Sequence, residues 1–183
     1  MSQIKNESSN KTKTSAIDNE DTSKTNTTAN NKVNSSKPVN IEAEIIMLKE
    51  LFSNADIGKS SIDAILKKID DTTLKNILFS QYESYNDITG KIASQLNKNG
   101  ETPKSNSSFG KAIIWSSINI NTLFDKSISH IADIIIKGNN VGIVDINKEL
   151  NEYFDMLSKD TLDLASDLLV LEQRHIEDLK PYL

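Results

Sequence analysis

The sequence predicts an all-α fold, and three observations support this. Beyond Pro38, apolar residues recur at alternating steps of three and four, which is the spacing of one helix face. No segment shows the sustained alternation of a strand, and the 183 residues include only 6 Gly and 3 Pro. Four long helices can cover one another's apolar faces. We therefore expect an antiparallel four-helix bundle over residues 40–183.

The first 39 residues have a different composition. Ser, Thr, Asn and Lys dominate this segment, which has few apolar residues and no aromatic residue. Such a segment buries too little apolar surface to offset its loss of conformational entropy. We expect residues 1–39 to form a disordered tail.

The first predicted helix has one polar interruption. Lys59 lies near the middle of the apolar face, and Gly58 beside it is a candidate position for a bend. The segment Asp70-Asp71-Thr72-Thr73 predicts a break followed by an N-cap. The apolar positions are Ile41, Ile45, Leu48, Phe52, Ala55, Ile62, Leu66 and Ile69.

The second predicted helix carries Gln81 among its inward positions. It ends at Asn97-Lys98-Asn99-Gly100, a typical stop signal. The polar loop Glu101–Ser108 is long enough for either a hairpin or a ferritin-type crossover. The apolar positions are Leu74, Leu78, Tyr85, Ile88 and Ile92.

The third helix is predicted from about Phe109 to Lys137, with Asn121 among its inward residues. Gly138-Asn139-Asn140-Val141-Gly142 predicts its end. Apolar residues from Ile143 to Leu157 then predict a short extra helix, and Ser158 or Asp160 is expected to cap the last helix.

The last helix places a carboxylate on its apolar seam. Glu172 occupies a position where the pattern calls for an apolar residue, and His175 follows three residues later at the edge of the seam. Glu-x-x-His facing inward is half of the dinuclear metal site of carboxylate-bridged bundles. Glu172 and His175 are therefore candidate ligands for iron or manganese. The seam consists of Leu162, Ala165, Leu169, Ile176, Leu179 and Leu183.

When residues are placed at about 100° per residue around each predicted helix, no second inward Glu-x-x-His motif appears. On helix two, Glu83 lies opposite the apolar face, and the inward position holds Gln81. We therefore prefer a metal-free interpretation in which inward polar groups satisfy one another. Glu172 would pair with Lys59 or join an amide and hydroxyl network. This predicted polar seam consists of Lys59, Gln81, Tyr85, Asn121 and Glu172.

Composition excludes several functions. The absence of cysteine excludes disulfides, Cys-ligated zinc and thiol nucleophiles. A net charge of −5 argues against a nucleic-acid partner. No apolar run reaches the length of a membrane span and no signal peptide is visible, so we expect a cytoplasmic protein. No Gly-rich phosphate loop or catalytic triad is apparent, which disfavours an enzyme.

Several motifs together resemble a known group. The chain from about Asn40 resembles uncharacterised ferritin-like four-helix-bundle proteins of spore-forming Firmicutes. This resemblance implies a ferritin-like fold and a role linked to stress or sporulation. The motifs are LKNIL at 74–78, QYESY at 81–85, KAIIW at 111–115, NTL at 121–123, SHIA at 129–132, GNNVGI at 138–143, and EQ with EDLKPYL over 172–183.

Two function hypotheses follow. The first is a non-enzymatic structural or interaction protein without a cofactor, with self-association as an open alternative. The second is an iron- or manganese-binding protein that uses Glu172 and His175.

Overall fold

A computed structural model describes residues 38–104 and 127–183 of the chain. Within these ranges, the regular structure is entirely helical, which confirms the predicted all-α class. Short 3₁₀ turns at Phe154–Met156 and Lys180–Tyr182 follow the last two helices. The described residues form four long helices, which are α1 (Ile41–Leu66), α2 (Thr72–Lys98), α3 (Ile128–Tyr153) and α4 (Lys159–Leu179).

Side-chain caps fix the helix starts. Asn40 Oδ1 accepts a hydrogen bond from the Glu42 N–H at 2.9 Å, at the start of α1. Asp71 Oδ1 accepts from the Leu74 N–H at 2.8 Å, which confirms the predicted break and cap before α2. Ser158 caps α4 and confirms one of the two predicted starts. Such caps satisfy N–H groups that have no partner within the helix.

The helices pack around one apolar core. Helix α1 packs along α2 and also against α3, while α4 packs along α3 and against α2. The aliphatic side chains of the four inward faces fill the space between them. The largest fully buried apolar side chains are Met47, Leu48, Leu51, Ile65, Leu74, Leu78, Ile92, Leu96, Ile131, Ile135 and Ile146.

The predicted break at Gly138–Gly142 is wrong. Helix α3 runs through this segment without interruption, so the predicted short extra helix is the second half of α3. Asn139 and Gly142 are buried and continue the inward face of the helix. A glycine inside a helix costs up to about 1 kcal/mol, which packing against a neighbouring helix can offset.

Some residues predicted to face the core do not do so. Ile41 and Leu183 are exposed, while Leu162 and Leu169 are only half-buried. The buried positions of α4 are Thr161, Ala165, Leu168, Glu172, His175, Ile176 and Leu179. The inward face of α4 is therefore rotated from the predicted seam, because the helix contacts both α2 and α3.

A buried carboxylate on α1 supports the start of α4. Glu44 is 2% exposed, and its Oε1 accepts from the Ser158 N–H at 2.5 Å. Its Oε2 accepts from the buried Thr161 hydroxyl. A negative charge is stabilised at a helix N-terminus, where free N–H groups and the helix dipole both favour it. Glu44 therefore links α1 to the first turn of α4.

Some predictions fall outside the described residues. These include the tail up to residue 37, the loop residues 105–108, the start of the third helix and Asn121. The connection between α2 and α3 lies there as well. None of the helices in the described ranges combines the length and apolar character needed to cross a membrane.

Candidate functional site

Glu172 lies at the centre of the bundle and contacts the two helices beside α4. Its side chain is 1% exposed. The Tyr85 hydroxyl of α2 lies 3.4 Å from Glu172 Oε1 and 3.2 Å from Asn139 Oδ1 of α3. Asn139 Nδ2 donates to the backbone carbonyl of Glu172 at 3.5 Å. One polar network thus joins α2, α3 and α4.

Helix α1 reaches the same place through Asn54. The Asn54 Nδ2 group donates to the Gly142 carbonyl at 3.1 Å. Because a carbonyl cannot donate, this bond fixes the orientation of the amide. The Asn54 Oδ1 atom therefore lies on the side of the Glu172 carboxylate.

Two glycines allow this close approach. A Cβ atom at Gly142 would lie 2.5 Å from Glu172 Oε2, 2.7 Å from Oε1 and 2.8 Å from Asn54 Oδ1. A Cβ atom at Gly58 of α1 would lie 2.5 Å from Cζ of Tyr85. Real Cβ atoms do not come so close to other heavy atoms. Glycine is therefore required for the present positions of the carboxylate and the phenol ring.

A small cavity of about 20 Å³ lies among these groups. Its lining includes Asn54, Tyr85, Asn139, Asp145 and Glu172. Glu172 Oε2 is buried, and no described residue forms a hydrogen bond with it. The cavity has room for about one water molecule or one small ion, and it is far too small for a nucleotide or an organic substrate.

Burial controls the charge states of Glu172 and Tyr85. Desolvation raises the pKa of Glu172 to about 8, and the charge of Asp145 contributes in the same direction. The hydrogen bond from Tyr85 opposes this shift. Burial also raises the pKa of Tyr85 well above its ordinary value. In the absence of a bound cation, Glu172 is therefore mainly a neutral carboxylic acid at neutral pH.

His175 is buried but faces a different space. It is 2% exposed, and its ring packs edge-on against Tyr85 with centroids 4.9 Å apart. Burial, followed by the charge of Arg174, lowers the pKa of His175 to about 4. The ring lines a groove of about 360 Å³ between α2 and α4, together with Ile88 and Lys91. The structure therefore does not direct Glu172 and His175 toward one common site.

The structure brings together only some residues of the predicted polar seam. Gln81, Tyr85 and Glu172 are all buried, and Gln81 Nε2 donates to the His175 carbonyl at 3.1 Å. Lys59 is half-buried, and its ammonium group lies 3.4 Å from Asp56. A lysine near the surface can extend its ammonium group toward water, which explains why it does not reach Glu172.

Within the described part of the chain, the candidate metal ligands Glu172 and His175 do not belong to a larger cluster of ligand side chains. Among residues 38–104 and 127–183, no three Asp, Glu, His or Cys side chains cluster around one point. Gln81 occupies the inward position on α2 where a dinuclear centre would need a carboxylate. Asn121, the remaining residue of the predicted seam, lies outside the described residues.

Three residues of the site were missed by sequence reasoning: Asn54, Asn139 and Asp145. The available signal was the continuing helical period. Positions 131, 135, 139, 142 and 146 are separated by steps of four, four, three and four across the predicted break, and all five are buried. Asn139 could have been recognised as an inward amide on this basis.

Comparisons with known proteins do not place the chain in a family. No family model matches it, and no curated protein or solved structure gives a match.

Proposed function

We propose that this chain is a non-enzymatic helical-bundle protein that serves as a structural or interaction protein. The observation that carries this proposal is the network formed by Tyr85, Asn139 and Glu172. It joins three helices through a neutral carboxyl, an amide and a hydroxyl. Such buried polar networks select one helix arrangement over alternatives of similar apolar content.

We also propose a ferritin-like antiparallel arrangement for the bundle. The segments between α1 and α2 and between α3 and α4 are short, at residues 67–71 and 154–158. Short connections of this kind join antiparallel neighbours. Residue-pair distances measured with spin labels at both ends of α1 and α4 would test the arrangement.

The alternative is an iron or manganese centre at Glu172 and His175. Three features favour the structural role over it. Glu172 contacts neutral groups, Gln81 replaces the carboxylate that a dinuclear centre needs, and His175 lines a separate groove. The two ligands would have to move toward a common point before they could hold one ion.

Metal analysis of protein purified under anaerobic conditions tests this proposal. We expect a folded protein with iron and manganese far below one ion per chain. The variant Glu172→Gln should have the same metal content, and His175→Gln serves as a second comparison. Stoichiometric iron or manganese that is lost in both variants would contradict the structural role.

Self-association is a separate part of the interaction hypothesis. Phe79 of α2, Val144 of α3 and Val170 of α4 are each more than half exposed. Sedimentation velocity over a range of protein concentrations would show whether the chain forms a dimer or larger assembly. A species that stays monomeric at every concentration would restrict the role to contacts with other proteins.

A further inference from the structure

We propose that the cavity bounded by Asn54, Asp145 and Glu172 binds one hard divalent cation, Ca²⁺ or Mg²⁺, through oxygen atoms. This inference goes beyond the proposed structural role and does not depend on it. It concerns a different ligand set from Glu172 and His175, because His175 lines the groove between α2 and α4 and does not line this cavity.

Oxygen atoms of Glu172 and Asn54 converge on one point beside Gly142. Both carboxylate oxygens of Glu172 and Asn54 Oδ1 lie within 2.8 Å of the position that a Cβ atom would take on Gly142. The Gly142 carbonyl fixes the Asn54 amide, so its oxygen cannot be exchanged for the NH₂ group. Facing acceptors repel one another unless a proton, a donor or a cation lies between them.

One carboxylate oxygen of Glu172 is unused. Oε2 is buried and has no hydrogen-bond partner among the described residues, although Glu172 lines a cavity. A buried polar atom without a partner costs about 1 to 3 kcal/mol. A bound cation would remove this cost and would ionise the carboxyl group.

A second carboxylate lies at the same cavity. Asp145 lines the cavity and is half-buried, and its charge raises the pKa of Glu172. The charge of Asp145 therefore disfavours the ionised form of Glu172. A divalent cation between them would reverse this effect, because it attracts both charges.

The size and the chemistry of the cavity select the ligand class. Its volume of about 20 Å³ accommodates one small sphere. Carboxylate and amide oxygens are the preferred ligands of Ca²⁺ and Mg²⁺, which bind oxygen at about 2.0 to 2.6 Å. Water reaching the half-buried Asp145 side would complete the coordination of either ion.

Calorimetric titration of the full chain tests this proposal. The protein is first treated with a chelator and is then titrated with CaCl₂ and, separately, with MgCl₂. We expect saturable binding of one ion per chain and a higher melting temperature in the presence of the ion that binds. Absence of saturable binding for both ions would overturn the proposal.

Matched variants identify the ligands. Asp145→Asn and Glu172→Gln preserve side-chain shape, and each should weaken binding by at least about tenfold. Asp133→Asn removes the same charge from the exposed face of α3 and should leave the affinity unchanged. Equal losses in Asp133→Asn and Asp145→Asn would show general charge attraction and would overturn the proposal.

His175→Gln separates this inference from the iron or manganese alternative. It should leave Ca²⁺ or Mg²⁺ binding unchanged, and a loss of at least tenfold would contradict the proposed ligand set. A failure to bind Ca²⁺ and Mg²⁺ would leave the structural role intact. Stoichiometric iron that requires His175 would instead contradict the structural role.

Discussion

The hydroxyl group of Tyr85 on α2 lies 3.4 Å from Oε1 of Glu172 on α4, and both side chains are about 99% buried. This contact joins two helices that are distant in sequence. The same hydroxyl lies 3.2 Å from Asn139 on α3. The centre of the bundle is therefore held by a polar contact set as well as by apolar packing.

Removal of the Tyr85 hydroxyl should destabilise the protein. Tyr85→Phe leaves Glu172 Oε1 and Asn139 Oδ1 without their shared donor, so we expect a loss of about 1 to 3 kcal/mol in the free energy of unfolding. Urea denaturation followed by circular dichroism measures this loss. Tyr82→Phe, a half-buried position on the same helix, should change stability by less than about 0.5 kcal/mol. Equal effects at both positions would count against the network.

Alanine substitutions at three helical glycines should distinguish the effect of a close contact on stability from the effect of helix propensity. Gly90 is exposed within α2, and a Cβ atom there would meet nothing within 4 Å. Gly90→Ala should therefore stabilise the protein by about 0.5 to 1 kcal/mol. Gly58→Ala and Gly142→Ala gain the same propensity but force Tyr85 or Glu172 to move, so we expect net losses of about 1 to 3 kcal/mol. Thermal unfolding of the three variants checks the contrast, and stabilisation of all three would contradict the described packing.

The stability of the chelator-treated protein should depend on pH in a defined way. Glu172 has a pKa of about 8 in the folded state, against an ordinary value of 4.5. Between pH 6.5 and 8 the unfolded chain is ionised at this position while the folded chain keeps the proton. The free energy of unfolding should therefore fall as pH rises, by at most about 1.4 kcal/mol per pH unit.

The titration of His175 should change the free energy of unfolding in the opposite direction at lower pH. Its pKa is about 4 in the folded state, against an ordinary value of 6.5. Its contribution to stability is present above pH 6.5 and is lost as pH falls toward 4. The two effects offset each other between pH 4.5 and 6.5. Glu172→Gln should abolish the decline above pH 6.5, and an unchanged decline in that variant would sink the assignment to Glu172.

Glu44 should contribute more to the stability of the fold than an exposed carboxylate does. The Glu44 carboxylate accepts hydrogen bonds from the Ser158 N–H and the Thr161 hydroxyl at the start of α4, and Glu44→Gln removes its negative charge. We expect a loss of about 1 to 2 kcal/mol in the free energy of unfolding. Glu83→Gln on the exposed face of α2 is the matched control and should be nearly neutral. Indistinguishable melting curves for the two variants would contradict the capping role.

The regular parts of the fold could be predicted from local sequence. The period of α2 from Leu74 to Ile92 identified its buried positions, including Gln81 and Tyr85. The cap at Asp71 and the stop at Gly100, which has a φ of 76°, follow from residue type. These features depend on contacts within one helix or at its ends, so sequence patterns contain them.

The remaining features depend on neighbouring helices. Gly138 and Gly142 predicted a helix end, but α3 continues through both, and Glu172 of α4 lies so close to Gly142 that a Cβ atom there would meet it. The helical period predicted that Lys59 faces the core. Its long side chain instead allows the ammonium group to pair with Asp56 near the surface. The contacts of Asn54 and Asn139 with Glu172 likewise could not be derived from one helix alone.

A double-mutant cycle between Tyr85 and Glu172 tests whether the contact between these two side chains holds α2 and α4 together. Tyr85→Phe and Glu172→Met each remove one partner while they preserve approximate shape. In chelator-treated protein, we predict that the double variant is more stable than the sum of the single losses implies, with a coupling of about 0.5 to 3 kcal/mol. Additive losses would contradict the account, because they would mean that the two side chains do not hold the helices together through their contact.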